Sequence, residues 1–516
     1  MKKAVVVIFS LLLISSCSCR RISVDKVKTG SGYVSGIEAD SGRVMAFLGI
    51  PFAAPPLGNL RWKDPQPAIP WKGILKADKF ASAPVQISYS SGSPVLEGSE
   101  DCLYLNVWTP AKTVKDSLPV MVWIYGGGFS GGKTSVPDYN GLRLAEKGVV
   151  VVSVAYRVGA LGFLALPELS AESAKGVSGN YGILDQIAAL NWVNNNIREF
   201  GGNPDQITIF GESAGAMSVS LLCASPLCAG LFQRAIAQSG ALLFPVDTVR
   251  RLASMLDLGS AEKYGSAFKK RMGAASLEDL RKMPVSKLCD ASSSSMGTFW
   301  PCVDGRVVPD DLSGLYESGK YNKVDMIIGT NSDEGANFSH DMTIRDYKNY
   351  LKFMFGRNSD RIFKEYPAKS DNDPYFAVSD IFRDYGFAWP SYAWARSLIR
   401  NGERNVFMYY FDQASASSHS GKTKIRGAVH AAEVSFVFGT LGSSATRDDR
   451  ILSSVMSDYW VNFARTGDPN SADLPEWPRF DDGIPSVLKI RENDIIPVMI
   501  PNNDKLDFWN GIFNKE

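Results

Sequence analysis

Ser213 is the residue of this sequence whose surroundings most clearly indicate nucleophilic chemistry. It stands in Gly211-Glu212-Ser213-Ala214-Gly215, which directly follows an apolar run at 207–210 and precedes a helix-like stretch at 216–222. In a G-x-S-x-G turn between a strand and a helix, the serine backbone is strained and the flanking glycines let neighbouring chain approach closely. Such a turn presents the serine hydroxyl above the sheet, at the positive end of the helix. The pattern therefore predicts Ser213 as a nucleophile for acyl transfer.

A serine hydroxyl needs a general base, and that base needs an acid to orient it. In an elbow of this type the chain order is serine, then Asp or Glu, then histidine. The chain has 3 His, at positions 340, 419 and 430. His430 comes last and follows a strand candidate at 406–411, so we predict it as the base. His419 lies in a polar loop, and His340 stands too close to the acid candidates.

Two adjacent carboxylates, Asp333 and Glu334, are the candidates for the acid. Both follow a strand candidate at 325–329. An acid in this topology belongs in a loop just beyond the end of a strand, and the position fits both residues. The spacing alone leaves the choice between them open.

A run of three glycines supplies the fourth part of such a site. Tyr125-Gly126-Gly127-Gly128-Phe129 directly follows an apolar run at 120–124. Consecutive glycines leave backbone N–H groups able to point into one cavity, and with the N–H of Ala214 they can hold a developing oxyanion. A flexible turn or a phosphate cradle is the alternative, but the sequence has no G-x-x-x-x-G-K-[ST] pattern.

The elements that must position these residues have the pattern of an α/β protein. Continuous apolar runs at 119–125 and 149–156 are typical of strands buried on both faces of a mostly parallel sheet. Apolar residues at steps of three or four between 183 and 200 predict an amphipathic helix that packs on this sheet, and 454–466 predicts a late helix. Before about residue 51, short runs separated by turn residues predict an N-terminal antiparallel extension. We expect helices on both faces of the sheet.

Composition excludes several classes of function. The chain has 516 residues with 55 Lys+Arg against 54 Asp+Glu, so it has no basic field to hold nucleic acid. With 3 His and no H-E-x-x-H or paired C-x-x-C spacing, a zinc site would lack its usual ligands. We expect no catalytic metal and no cofactor.

The N-terminus predicts export. Lys2 and Lys3 precede an apolar stretch at 4–14, which is too short for a membrane span of roughly 20 residues and fits a signal sequence. The segment Ile14-Ser15-Ser16-Cys17 resembles a bacterial lipobox, in which the cysteine is acylated and begins the mature protein. We expect residues 1–19 to be a lipoprotein-type signal peptide, and the protein to be periplasmic or at the cell surface, held by lipid at Cys17. A plain cleaved signal peptide and a secreted protein are the alternative.

Taken together, these motifs resemble the type-B carboxylesterases, the cholinesterase-like branch of the α/β-hydrolases. The resemblance covers nearly the whole chain after residue 19, so we expect residues 20–516 to form a single α/β-hydrolase domain. Further segments similar to that family are Gly49-Ile50-Pro51-Phe52-Ala53, Glu100-Asp101-Cys102-Leu103-Tyr104-Leu105-Asn106, Gly179-Asn180-Tyr181-Gly182, Phe200-Gly201-Gly202-Asn203-Pro204 and Ala464-Arg465-Thr466-Gly467-Asp468-Pro469.

The resemblance implies a role for particular residues. It places the catalytic triad at Ser213, Glu334 and His430, and so selects Glu334 over Asp333. It places the oxyanion donors at Gly127, Gly128 and Ala214. It also implies supporting roles for Glu212 and Ser239, and structural ion pairs of Arg61 with Glu100 and of Arg157 with Asp185.

Two departures from the family matter. The family commonly pairs the cysteine of its E-D-C-L segment with an upstream cysteine, but no cysteine lies between Cys19 and Cys102, so we expect a free thiol at Cys102. Cys289 and Cys302 bracket a short loop that a disulfide would close, and Cys223 and Cys228 fit buried packing. Cholinesterases bind a quaternary ammonium with a tryptophan before E-D-C-L, and 86–99 contains none, which argues against choline esters.

The resemblance implies an exported bacterial carboxylesterase that cleaves small-molecule carboxylic esters through an acyl-enzyme intermediate. Phe299 and Trp300 resemble the acyl-pocket region of the family, and an aromatic core loop is the competing interpretation. Another acyl hydrolase on the same machinery, such as a lipase, thioesterase or amidase, is an alternative because substrate choice lies in loop shape. A non-catalytic adhesion module is a more remote alternative. Homologues with that role have lost the nucleophilic serine, whereas Ser213 is present here.

Overall fold

The computed structural model describes residues 23, 25–39, 42–88, 93–244, 255–293, 299–414 and 424–513. The predicted signal peptide, the lipobox cysteine Cys17 and the boundary at residue 19 lie outside the described residues, as does His419. Nowhere in the described ranges is a helix both long and apolar enough to cross a membrane.

The described elements alternate between strands and helices over most of the chain. In chain order the strands are β1 Val27–Thr29, β2 Gly32–Ser35, β3 Ile37–Glu38, β4 Met45–Pro51, β5 Ile74–Lys76, β6 Gln86–Ser88, β7 Val95–Glu97, β8 Tyr104–Thr109, β9 Leu118–Ile124, β10 Val150–Val154, β11 Gly202–Glu212, β12 Arg234–Gln238, β13 Leu256–Asp257, β14 Cys302–Val303, β15 Asp325–Asn331, β16 Val406–Phe411, β17 Ser486–Arg491 and β18 Asp494–Met499. The helices are α1 Leu142–Glu146, α2 Gly159–Phe163, α3 Pro167–Glu172, α4 Tyr181–Asn196, α5 Ala214–Ala224, α6 Leu258–Arg271, α7 Leu277–Lys282, α8 Val285–Ser293, α9 Leu312–Glu317, α10 Ile344–Phe355, α11 Ser359–Glu365, α12 Asp373–Ile381, α13 Trp389–Arg400, α14 Val434–Phe438, α15 Arg447–Thr466 and α16 Asn503–Phe513.

A sheet of 11 strands forms the centre of the described structure, in the order β18-β17-β16-β15-β12-β11-β9-β10-β8-β4-β3. The strands from β17 to β10 in this order are all parallel to their neighbours. Every residue of β10 is buried, as is every residue of β9 after its first. Burial on both faces explains why these strands read as continuous apolar runs. The predicted α/β-hydrolase fold, a mostly parallel sheet with helices around it, is confirmed.

The two edges of the sheet are antiparallel. At one edge β8, β4 and β3 follow one another in antiparallel register, which is the predicted N-terminal extension. The strands β1, β2 and β5, from the same N-terminal region of the chain, form a separate three-stranded sheet. At the other edge β18 pairs antiparallel with β17, a strand that the sequence pattern did not indicate.

Two helix boundaries differ from the predicted ones for local reasons. The helix predicted over 183–200 ends at Asn196, continues as a 3₁₀ turn and stops at Gly201, whose φ of 77° closes it. The late helix α15 begins at Arg447 rather than at 454. Thr446 and Asp449 form a reciprocal capping box there, so a polar first turn without an apolar stripe is held in helical form.

Candidate active site

Ser213 lies at the turn between β11 and α5. Its φ is 55° and its ψ is −123°, a conformation that strains a residue with a side chain. The Ser213 N–H donates to the carbonyl oxygen of Gln238 at 2.9 Å, which ties the turn to the neighbouring strand β12. Gly215 cannot be larger, because a Cβ there would lie 2.0 Å from the carbonyl oxygen of Ile124. The turn is therefore a strained elbow that is closely packed against β9.

His430 and Glu334 are in direct contact. His430 Nδ1 lies 2.6 Å from Glu334 Oε2, and the Glu334 side chain is fully buried. The other carboxylate oxygen of Glu334 accepts a hydrogen bond from the backbone N–H of Asn331 at 2.7 Å, so the carboxylate is fixed from two sides. His430 Nε2 is buried and has no hydrogen-bond partner among the described residues. Glu334 thus orients the imidazole and leaves Nε2 able to accept a proton.

A second carboxylate, that of Glu212, lies on the opposite side of the imidazole. Its Oε1 is 3.1 Å from His430 Nε2. Burial raises the pKa of Glu212 to about 8, although the positive charge of His430 opposes this. Burial alone would lower the pKa of His430. The negative charges of Glu212 and Glu334 outweigh the effect of burial and raise this pKa to about 9. Since Glu212 directly precedes Ser213, this contact also brings the imidazole to the elbow.

The glycine loop that follows β9 packs against the elbow. A Cβ on Gly126 would lie 2.8 Å from Glu212 Oε2 and 2.9 Å from Ser213 Cβ, so only glycine fits this close approach. The backbone N–H groups of Gly127, Gly128 and Ala214 donate no hydrogen bond within the described part of the chain. A Cβ on Gly128 would meet no other atom within 4 Å, so the space beside this part of the loop is open.

The structure separates the two acid candidates. Asp333 accepts hydrogen bonds from the backbone N–H of Arg426 at 2.7 Å and from the hydroxyl of Ser379 at 3.2 Å. Its carboxylate therefore joins its own loop to α12 and to the segment at Arg426, while Glu334 contacts His430. His340, the histidine nearest to these residues in the chain, is exposed.

Behind the imidazole lies a buried polar layer that the sequence analysis missed. Glu433 is fully buried and accepts hydrogen bonds from Asn331 Nδ2 at 2.5 Å and Gln238 Nε2 at 3.2 Å. Trp460 Nε1 donates to Gln238 Oε1 at 3.1 Å and completes the chain of contacts. Burial first, and then the charge of Glu334, raises the pKa of Glu433. One indication of this layer was present in the sequence: Glu433 stands three residues after His430, at the start of α14.

Two aromatic rings hold the imidazole from the remaining sides, and they were also missed. The ring centroid of Phe387 lies 4.6 Å from that of His430, and the centroid of Phe338 lies 5.2 Å from it. Phe387 belongs to a π-helical segment, Phe382–Ala388, that connects α12 to α13. Such segments are frequent at functional sites. Nothing in the local sequence indicated this wider helical turn.

The components assembled here are those of nucleophilic acyl transfer. A strained serine, an imidazole oriented by a carboxylate, and backbone N–H groups without partners are the parts that this chemistry needs. Across the described ranges no three His, Cys, Asp or Glu side chains are grouped as a metal ion would require.

The sequence profile of the carboxylesterase family matches residues 23–509 of the chain. This chain belongs to the carboxylesterase family. The similar proteins include fumonisin B1 esterase of Sphingopyxis macrogoltabida, 40% identical over 470 residues that cover 88% of this chain and 84% of that protein. Carboxylesterase 5A of Mus musculus is 35% identical over 509 residues, which cover 88% of this chain and 84% of that protein. Acetylcholinesterase of Bungarus fasciatus is 34% identical over 559 residues, which cover 98% of this chain and 89% of that protein. The carboxylesterase is therefore an enzyme, a serine hydrolase of carboxylic esters.

Two ion pairs expected of a carboxylesterase are confirmed. Arg61 holds Glu100 through two contacts of 2.7 and 2.5 Å, and its third nitrogen donates to two backbone carbonyls. Arg157 holds Asp185 at 2.8 and 2.7 Å, and both side chains are almost wholly buried. Burial raises the pKa of Asp185 against the effect of its arginine. Both pairs join segments far apart in the chain, which makes them structural.

The cysteines are all buried in the described part of the carboxylesterase. Cys102 is a free thiol, as predicted, and burial raises its pKa. Cys223 and Cys228 are also free and pack as small apolar side chains.

Proposed function

We propose that the enzyme cleaves carboxylic esters by two-step acyl transfer through Ser213, His430 and Glu334. Ser213 Oγ attacks the ester carbonyl carbon while His430 Nε2 takes the hydroxyl proton. Glu334 holds the Nδ1 proton and stabilises the charged imidazole. The tetrahedral intermediate then collapses, and His430 protonates the departing alcohol. Water attacks the acyl-enzyme with the same histidine as base, which releases the acid and restores Ser213.

The negative oxygen of the tetrahedral intermediate is assigned to the backbone N–H groups of Gly127, Gly128 and Ala214. These groups donate no hydrogen bond in the described structure; Gly127 and Gly128 directly follow Gly126, which packs against the elbow, and Ala214 directly follows Ser213. Because they are fixed before the reaction, they need no reorganisation when the charge develops, and each such donor contributes about 10²–10³ in rate.

The observation that carries the proposal is the 2.6 Å contact between His430 Nδ1 and Glu334 Oε2 beside the strained turn at Ser213. It shows that Nδ1 faces Glu334, so Nε2 is the nitrogen that we assign to the nucleophile. Nε2 makes no hydrogen bond in the described structure, and it lies 3.1 Å from Oε1 of Glu212, the residue that directly precedes Ser213.

The substrate is proposed to be a small, uncharged carboxylic ester. Trp300 packs against Phe129 at a centroid distance of 5.3 Å, edge to face, directly after the glycine loop. We propose that this ring limits the size of the acyl group that can reach Ser213; an aromatic core loop is the competing interpretation. The absence of tryptophan from 86–99 argues against choline esters. Lipase, thioesterase and amidase activities remain alternatives that need the same catalytic parts.

The test is hydrolysis of a chromogenic ester series from acetate to decanoate by the chain from Arg20 onward, beside Ser213→Ala. We expect a rate that falls by about 10⁶ in the variant, as loss of a triad nucleophile does elsewhere. Equal rates in both proteins, with cooperative unfolding retained, would refute the assignment. A jump in rate above the solubility limit of the longer esters identifies a lipase instead, and parallel thioester and anilide substrates identify the other two alternatives.

We propose further that the enzyme is exported and anchored by lipid at Cys17. The short apolar stretch at 4–14 and the lipobox-like Ile14-Ser15-Ser16-Cys17 support this. The intact mass of the protein extracted from membranes tests it. An acylated mature chain that begins at Cys17 is expected, and an unmodified chain would contradict the anchor.

A further inference from the structure

The three-stranded sheet of β1, β2 and β5 has one buried and one exposed face. Val27, Thr29 and Val34 point into the protein and are buried, as alternate residues of a strand on a core should be. Lys28 on β1 and Tyr33 on β2 are solvent-exposed. This sheet therefore presents a separate outer surface.

Residues in register across this sheet form a row on the outer face. Lys28 pairs with Tyr33, and Tyr33 pairs with Ile74. Lys76, two residues beyond Ile74, points to the same side. Lys26 joins them, because its ammonium lies 4.1 Å from the centroid of the Tyr33 ring. We call this surface the outer face; its members are Lys26, Lys28, Tyr33, Ile74 and Lys76.

The outer face combines positive charge with exposed apolar groups. Ile74 is 49% exposed, and in the segment that leads into β5 Ile69 is 67% exposed and Lys72 is exposed as well. None of the outer-face residues is acidic; the exposed carboxylates nearest to them in the chain are Asp25, beside Lys26, and Asp78, two residues beyond Lys76. The whole chain has a net charge of only +1, so this is a local concentration of lysines. Lysines around a tyrosine and an exposed isoleucine match the headgroup level of an anionic bilayer.

We propose that the outer face lies on an anionic phospholipid surface and sets the orientation of the enzyme at the membrane. The lysines contact lipid phosphates, and Tyr33 and Ile74 enter the boundary between headgroups and acyl chains. This inference rests on the proposed lipid anchor for its biological setting, but the lipid affinity of the face is a separate property.

The position of the anchor in the sequence supports this occupant. Cys17 precedes Lys26 by nine residues, so the linking chain reaches at most about 30 Å. A short tether keeps the outer face at a high effective concentration near the bilayer, so even weak contacts fix the orientation. One lipid anchor with a basic patch is also the combination that makes membrane attachment stable.

The test measures co-sedimentation of the chain from Arg20 onward, which keeps all described strands and helices, with vesicles. One set is phosphatidylcholine alone and the other contains roughly one third phosphatidylglycerol. We compare the parent chain with Lys28→Glu/Lys76→Glu. The matched control is Lys175→Glu/Lys364→Glu, which reverses two exposed lysines outside the face.

We expect binding to the anionic vesicles that weakens with salt and falls at least about tenfold in Lys28→Glu/Lys76→Glu, since one lysine near such a surface is worth about fivefold. The control should stay within about twofold of the parent chain, and both variants should hydrolyse a soluble ester at the parent rate. The second variant, Tyr33→Ser/Ile74→Ser, should weaken binding at unchanged charge. No binding to anionic vesicles, or equal loss in both charge variants, would overturn the proposal.

The anchor is tested apart from the face. The full chain and its Cys17→Ser variant are produced in cells, and the intact mass of each is measured. We expect an acyl mass on the full chain that is absent from the variant, and a full chain without it would refute the anchor. The vesicle assay omits Cys17, so its result stands whatever the mass shows.

Discussion

Replacing Glu212 by glutamine should make the enzyme active at lower pH. The proposed catalytic base is the neutral form of His430, so activity should rise as the imidazolium loses its proton. The carboxylate of Glu212, 3.1 Å from Nε2, stabilises the imidazolium and raises the pKa of His430. An amide of nearly equal shape carries no charge. The pKa of His430 must therefore fall, and the rising limb of the pH profile must move with it.

The structure sets the scale of this change. The pKa of His430 is raised from 6.5 to about 9 against the effect of burial, and the charge of Glu212 is the largest raising effect. Coulomb's law at 3.1 Å with an effective dielectric constant of about 20 gives an interaction of about 5 kcal/mol before solvation is counted. One pKa unit corresponds to about 1.4 kcal/mol, so we expect the limb to move to lower pH by on the order of one unit.

The assay is kcat/KM for a chromogenic acetate ester between acid and alkaline pH, with the rate of Ser213→Ala subtracted at each point. Glu476→Gln, a change of an exposed glutamate outside the site, is the control and should leave the limb in place. The readout is the pH at which kcat/KM rises, because the maximum value of kcat/KM also depends on how well the ester binds. A limb that stays put in Glu212→Gln, or moves to higher pH, would refute this electrostatic reasoning.

Three further changes have defined outcomes. Asp185→Asn leaves the buried Arg157 without its carboxylate and should lower the free energy of unfolding by about 3–5 kcal/mol in urea titration, whereas a loss below about 1 kcal/mol would mean that the pair is dispensable. Gly126→Ala forces a Cβ to 2.9 Å from Ser213 Cβ, so kcat/KM should fall at least about 100-fold. Its unfolding should remain cooperative, and a rate near that of the parent would contradict the close packing. Trp300→Ala should shift the preferred substrate toward esters with longer acyl chains. An unchanged preference would mean that Trp300 is part of the aromatic core and does not limit the acyl group.

Local sequence patterns predicted the parts of the site that depend on backbone conformation. The elbow at Ser213 and the glycine run directly follow β11 and β9, which are recognisable from their apolar residues, and His430 lies in the segment between β16 and α14. The choice between Asp333 and Glu334 was different, since adjacent residues follow the same strand. It depends on which side chain faces the loop that carries His430, 96 positions further along the chain. Only the resemblance to a family, and not the spacing, selected Glu334.

The environment of the imidazole could not be predicted for the same reason. Glu433 meets Gln238 across 195 positions of sequence, and Phe387 reaches His430 from a π-helical segment with no local signature. These contacts follow from how the helices pack over the ends of the strands. The helix α15 shows the reverse case, since its capping box was present in the sequence but its polar first turn lacked an apolar stripe.

The central claim is that Ser213 carries the acyl group between the two steps of ester hydrolysis. The most direct test quenches the enzyme in acid during turnover of a chromogenic acetate ester and maps the acetylated peptide by mass spectrometry. We expect one acetyl group per chain, on Ser213, formed with a burst of alcohol. An acetyl group on another residue during turnover, or a burst of alcohol with Ser213 unmodified, would contradict it.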